Sequence, residues 1–211
     1  SKEFMLSNYK RYLSEATKKG YSGVCVYVKE NPIKITKTFG SKFFAEEGRF
    51  IEIELPKVRM VSVYFPSGSS GEVRQNLKYK FMEKFELYMK KIKKNTKPTI
   101  ISGDWNIVHR EIDIKNWKSN QKNSGCLPKE RAWLDKIFDK HGFVDAFRSI
   151  NDKPHNYTWW SNRGRSWENN VGWRIDYQVI SPNSKLKVMS AKIYKKERFS
   201  DHSPLIIKYE F

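Results

Sequence analysis

The chain has 211 residues, 38% hydrophobic and 15% aromatic, and carries 41 Lys and Arg against 23 Asp and Glu, a net charge of +18. That composition supports a packed core and excludes a disordered chain. No run reaches the roughly 18 apolar residues of a membrane span, the start (Ser1-Lys2-Glu3-Phe4) has no signal-like apolar segment, and Cys25 and Cys126 form no disulfide framework, which suits a reducing compartment.

In chain order, Tyr21–Glu30 reads as a strand after a Gly-containing turn. Arg49–Leu55 alternates with period two, and Arg59–Phe65 is a largely apolar strand. Pro66–Gly71 is a loop. Leu77, Phe81, Phe85, Met89 and Ile92 recur at helical spacing and predict a helix over Leu77–Lys94 with lysines outside. Pro98–Asn106 is a short buried strand running into a loop. Pro128 opens a second helix, with Glu130 suiting its dipole and Gly142 stopping it. Trp173–Ser181, Leu186–Tyr194 and Ser203–Phe211 read as three further strands. Hairpins mixed with crossover helices predict an α/β chain of mixed sheets covered by helices, in one domain over residues 1–211.

Chemistry-bearing residues gather at the ends of these strands: Tyr64, Asp104, Asn106, Asp176 and the adjacent pair Asp201-His202. Each alone has an ordinary explanation. Asp104 could be a turn residue after Gly103, Asp176 a partner of Arg174, and His202 a satisfied histidine. As a set they point to a site, because strands deliver short side chains to a common rim. Asp201 and His202 could face one cleft from a loop, whereas strand neighbours point to opposite sides.

A positive chain attracts polyanions. Carboxylates concentrated within it suit a divalent cation, and Mg²⁺ prefers oxygen ligands while keeping several waters. A cation, a carboxylate and an imidazole together suit phosphate chemistry. No Cys/His cluster has zinc spacing.

The motifs "GDWNIVHREIDIKN" (Gly103–Asn116), "NVGWRIDY" (Asn170–Tyr177) and "SDHSP" (Ser200–Pro204) resemble the exonuclease III family of apurinic/apyrimidinic (AP) endonucleases, within the endonuclease/exonuclease/phosphatase superfamily. "GYSGV" (Gly20–Val24) and "YFPSGSS" (Tyr64–Ser70) fall in the family's order, and the wording is closer to bacterial members than to animal ones. The resemblance implies a four-layer α/β sandwich, with two mixed sheets face to face and helices outside. It implies Mg²⁺-dependent hydrolysis, with Mn²⁺ as a substitute, of the phosphodiester 5′ to an abasic site. Digestion from 3′ ends and removal of 3′ blocks go with it. Asp104 would activate water, Asn106 hold phosphate and water, and Tyr64 point at the scissile phosphate. His202 would contact a phosphate oxygen with Asp176 orienting it. Asp201, with Asp104 and Asn106, would lie at the metal. Arg74, Lys78, Asn120, Asn123, Trp159, Asn170 and Trp173 would contact DNA or wall the pocket for a flipped-out sugar, which is cheap to extrude because it lacks a base to stack. Of Trp159 and Trp160, one is expected in the core. Duplex DNA with abasic sites or blocked 3′ ends is the expected partner of a monomer, in the bacterial cytoplasm with the nucleoid.

The resemblance has a gap. The family's two first strands, ending in an Asn and in a metal-binding Glu, have no counterpart here, and Glu3 is too near Gly20 to be that Glu. The gap amounts to on the order of 50 residues. A chain lacking its start is the expected explanation, because the other motifs are intact. A natural short form would bind metal weakly and turn over slowly. The rival readings are a catalytically weakened nucleic-acid-binding fragment and a related phosphodiesterase acting on another phosphate ester.

Overall fold

The computed structural model describes residues 5–182 and 184–211. The quoted start, residues 1–4, and with it Glu3, lies outside them. Strands β1 (Lys10–Glu15) and β2 (Gly23–Val28) form an antiparallel hairpin. Next come β3 (Lys34–Thr36), a short helix α1 (Lys42–Glu46), β4 (Phe50–Glu54) and β5 (Arg59–Tyr64). Helix α2 (Glu72–Ile92) crosses to β6 (Thr99–Asp104), which lies parallel to β5. After β6 follow α3 (Trp117–Asn120), α4 (Pro128–Asp135), β7 (Val144–Asp145), β8 (Trp159–Trp160), β9 (Gly172–Trp173) and β10 (Asp176–Ile180). A second hairpin, β11 (Lys187–Ile193) and β12 (Leu205–Glu210), closes the chain.

The main sheet has six strands in the order β3-β4-β5-β6-β10-β7, mixed through the one parallel β5–β6 pair. Alternation sorts its two faces. Phe50, Val61, Val63, Ile101 and Val179 face α2 and join Phe81, Phe85 and Met89 in the largest core cluster. Ile51 and Ile53 face the other way, against Val24 and Val28 of the first hairpin. Each fully buried side chain of this size contributes about 1.5–3 kcal/mol. The second hairpin meets the sheet through Gln178, which donates to Leu205 O (3.0 Å) and accepts from the Tyr209 hydroxyl (2.9 Å). The α/β sandwich is therefore a helix layer, a mixed sheet and a second β layer of two separate hairpins.

Three elements differ from their sequence reading. Helix α2 begins at Glu72, five residues before Leu77, with Glu72 in its first turn and Gly71 at φ 101° before it. The second helix runs on from Asp135 as a π-helical stretch, Lys136–Lys140, and ends before Gly142, at φ 77°. The strand expected over Trp173–Ser181 is two strands, because Arg174 turns into the core and Ile175 O accepts from Trp105 N (2.9 Å).

An ionic staple joins α2 to the π-helical stretch. The Glu86 carboxylate accepts from Lys90 (2.8 Å), Lys136 (2.8 Å) and His141 Nε2 (3.1 Å). Burial raises its pKa, but the hydrogen bonds from Lys136, Lys90 and His141 outweigh that and hold it at about 2, against an ordinary 4.5. A group whose pKa is depressed by folding contributes stability above its unfolded value and loses it as pH falls through the folded one. Glu86→Gln should therefore narrow the stability difference between pH 6 and pH 2.5, read as urea midpoints. An unchanged difference would remove the staple from acid stability.

Candidate active site

The parallel β5 and β6 end at one rim, and the antiparallel β10 begins there. The register places Tyr64 opposite Asp104 and Asp104 opposite Asp176, so the three form one row across three strands. Gly103 permits the close approach of β5 and β6: at φ 146°, a Cβ there would lie 1.8 Å from Val63 O. Beyond β6 the chain turns back at Asn106, in the left-handed region at φ 53°. Its backbone N–H donates to Asp104 Oδ1 and its amide to Asp104 Oδ2, both at 2.8 Å, and the amide also donates to Phe65 O (3.1 Å).

The Asp201-His202 pair is neither in a free loop nor in a full strand. Trp160 N donates to Asp201 O (3.0 Å) and Ser203 N to Thr158 O (2.8 Å), which lays the segment beside β8 as a single bridge. His202 Nδ1 lies 2.9 Å from Asp176 Oδ2, while Asp201 Oδ2 accepts from Trp159 Nε1 (3.0 Å).

Burial and the nearby Asp176 charge push Asp104 up to about 7, against the pull of His202, the Asn106 N–H and Lys78. Burial draws His202 down, but the Asp176 hydrogen bond and the charges of Asp176, Asp104 and Asp201 lift it to about 9. At neutral pH the imidazole is thus a cationic donor, tied to Asp176 by Nδ1 and leaving Nε2 for a ligand. Asp104, Asp176 and Asp201 outnumber this one imidazole, a supply of hard oxygen donors that suits a cation.

A cavity of about 630 Å³ opens over the row. Tyr64, Asp104, Asn106, Asn123, Trp159, Trp173, Asp201 and His202 all line it, with Ser67, Ser69 and Arg163. Trp159 and Trp173 meet edge to face, centroids 5.9 Å apart, and form its aromatic wall, while Trp160 is buried.

The sequence matches the Endonuclease/Exonuclease/phosphatase family over residues 3–202. The chain belongs to the endonuclease/exonuclease/phosphatase family. An exodeoxyribonuclease of Bacillus subtilis (strain 168) is 36% identical over 199 residues, 94% of this chain and 78% of that protein. A DNA repair nuclease APEX1 of Danio rerio is 34% identical over 200 residues, 94% of this chain and 64% of that protein. The structure of an AP endonuclease from Archaeoglobus fulgidus matches with a TM-score of 0.85 at 24% identity, over 97% of this chain and 80% of that one, a likeness of fold.

Not every expected residue of this family member reaches the cavity. Lys78 is corrected: its side chain is fully buried, with Nζ donating to Glu130 Oε1 (2.5 Å) and Asn106 O (2.7 Å), so no DNA phosphate can meet it. Asn120 stands behind Asn123, accepting from its amide (2.9 Å). Asn170 lies off the cavity, accepting from Trp160 Nε1 (3.1 Å) and donating to His155 O (3.2 Å). Arg74 is half-buried outside the cavity lining, 4.0 Å from Glu47. Arg174 pairs with Asp113 (2.7 Å) and Asp145 (2.8 Å) rather than with Asp176. Glu130, expected only to suit a helix dipole, reaches Asn106 O through Lys78, Arg49 donates to Tyr64 O, and Asp113 holds Arg148 and Arg174; Arg49 and Asp113 have no role in the sequence reading. Asp113 alone carried a signal, inside "EIDIKN".

Among the described residues no three His, Cys, Asp or Glu come together as a metal cage. Asp104, Asp201 and the Asn106 amide nonetheless bring hard oxygen donors to the same cavity. They fit a divalent cation that keeps most of its water, for which one or two carboxylates suffice.

Proposed function

We propose that this protein is a DNA-repair nuclease, which cleaves the phosphodiester 5′ to abasic sites in duplex DNA and trims or unblocks 3′ ends. The observation that carries the reading is the row Tyr64–Asp104–Asp176, tied to His202 at 2.9 Å, beneath a cavity with an aromatic wall. The names of the Bacillus and Danio relatives support the substrate class, and the charge of +18 suits a phosphate backbone. The protein acts as a monomer, in a bacterial cytoplasm with the nucleoid.

His202 donates from Nε2 to a phosphoryl oxygen, with Asp176 fixing its tautomer. Asp104, its carboxylate aligned by both Asn106 donors, takes the proton of the attacking water. Tyr64 donates its hydroxyl to the same phosphate. Trp159 and Trp173 enclose an extruded, baseless sugar and exclude an intact nucleotide by size. Asn123, Arg163 and, outside the cavity lining, Arg74 hold flanking phosphates. Asp201, Asp104 and Asn106 would hold the divalent cation, Mg²⁺ or in its place Mn²⁺, which neutralises phosphate charge.

A duplex oligonucleotide with one tetrahydrofuran abasic analogue tests this. A Mg²⁺-dependent nick on the 5′ side of the analogue is expected. The alternative is a nucleic-acid-binding module, and the observation on its side is that the described residues form no three-donor metal cage. That alternative predicts salt-sensitive binding without a nick, unchanged by Asp104→Asn or His202→Ala.

A further inference from the structure

Arg49 immediately precedes β4 and is 2% exposed, directly behind Tyr64. The two are locked by their backbones as well, since Tyr64 N donates to Arg49 O (2.9 Å). Every arm of the guanidinium is engaged. Nη1 donates to Tyr64 O (3.3 Å), Nη2 to the Tyr21 hydroxyl (3.4 Å), and Nε to the Glu47 carboxylate. The guanidinium carbon also lies 4.8 Å from the centre of the Tyr64 ring and 5.6 Å from that of Tyr21. Such a fork over two aromatic faces needs the planar Arg group and cannot be copied by an ammonium.

Its burial leaves Arg49 no path to a DNA phosphate, and each of its three nitrogens donates to a group inside the protein. We propose that Arg49 is a positioning residue: its guanidinium clamps the ring and carbonyl of Tyr64, fixes where the phenol hydroxyl points, and acts on the reaction only through Tyr64. This rests on the reading of Tyr64 as a phosphate donor. Misplacing such a group by about 1 Å costs about 100-fold in rate. The clamp also links the rim to the first hairpin's turn through Tyr21, and to α2 through Glu47, which faces Arg74 at 4.0 Å.

The test is a double-variant cycle on the tetrahydrofuran duplex. Arg49→Met should lower kcat about 10- to 100-fold with KM nearly unchanged. Arg49→Lys, which keeps the charge and loses the fork, should recover only a small part of that loss. In a Tyr64→Phe background, Arg49→Met should lower kcat no further. Multiplying losses in the double variant, or full recovery by Arg49→Lys, overturns the proposal. Should Arg49→Met fail to fold, 3-fluorotyrosine-labelled Arg49→Lys protein gives an independent ¹⁹F readout. The Tyr64 resonance, assigned by its loss in Tyr64→Phe, should move or broaden, and a resonance left in place overturns the clamp. If Tyr64→Phe alone leaves kcat intact, the role of Tyr64 falls and Arg49 loses its catalytic part, while the ¹⁹F shift still reports the clamp itself.

Discussion

His202→Asn is expected to fold normally and to lose about 10²- to 10⁴-fold in kcat on the abasic duplex. The side chain sits on a bridge segment held by backbone bonds that the substitution leaves alone. What disappears is the cationic donor aimed at the phosphate. Asp176→Asn should cost nearly as much, because an amide can hold the ring in its wrong tautomer and no longer supports its charge. The pH profile supplies the second readout. With Asp104 at about 7 and His202 at about 9, the carboxylate form of the first and the protonated form of the second coexist between those values. Activity should rise through the lower value and fall through the upper, and His202→Asn should remove the upper limb. A cation beside Asp104 lowers the first limb. A His202→Asn protein within ten-fold of the parent kcat would contradict the assignment.

Lys78→Met is the second large effect, on stability. Lys78 and Glu130 are both fully buried, and Glu130 also accepts from Gln75 Nε2 (3.0 Å), Gly125 N (2.7 Å) and Leu127 N (3.0 Å). Removing one partner of a buried pair costs about 3–5 kcal/mol, because the other charge is left uncompensated. Urea unfolding of Lys78→Met should show that loss, and Lys78→Met/Glu130→Gln should recover most of it. The affinity of the folded Lys78→Met protein for duplex DNA should keep its salt dependence. Arg163→Ala, at the exposed cavity wall, should reduce it, since only a cation that meets phosphate releases counterions. A flatter salt dependence in Lys78→Met would restore Lys78 to the DNA contacts.

How much was legible follows from how local each signal is. Strands β4, β5 and β10 were readable because alternation and apolar runs reflect burial on a sheet. The first turn of α2 was not, since Glu72-Val73-Arg74 carries no apolar period and Gly71 sets its start. Strand β1, "KRYLSE", has a weak pattern of its own and exists by pairing with β2. In the site, Tyr64, Asp104, Asn106, Asp201 and His202 could be picked out because they end strands or flank them. Lys78 misled because it stands among the lysines of an amphipathic helix, and its partner is 52 positions away. The Arg174–Asp113 pair spans 61 positions and is equally invisible to spacing.

Glu130 is a single carboxylate that grips two segments. Through Gly125 and Leu127 it pins the loop that carries Asn123 to the cavity. Through Lys78 it reaches the carbonyl of Asn106, whose side chain aligns Asp104. On the proposed reading, gripping the flanking DNA and cutting the strand therefore share one joint. Loop changes around Asn123 that alter DNA affinity should also shift turnover, and the two traits should prove hard to evolve apart.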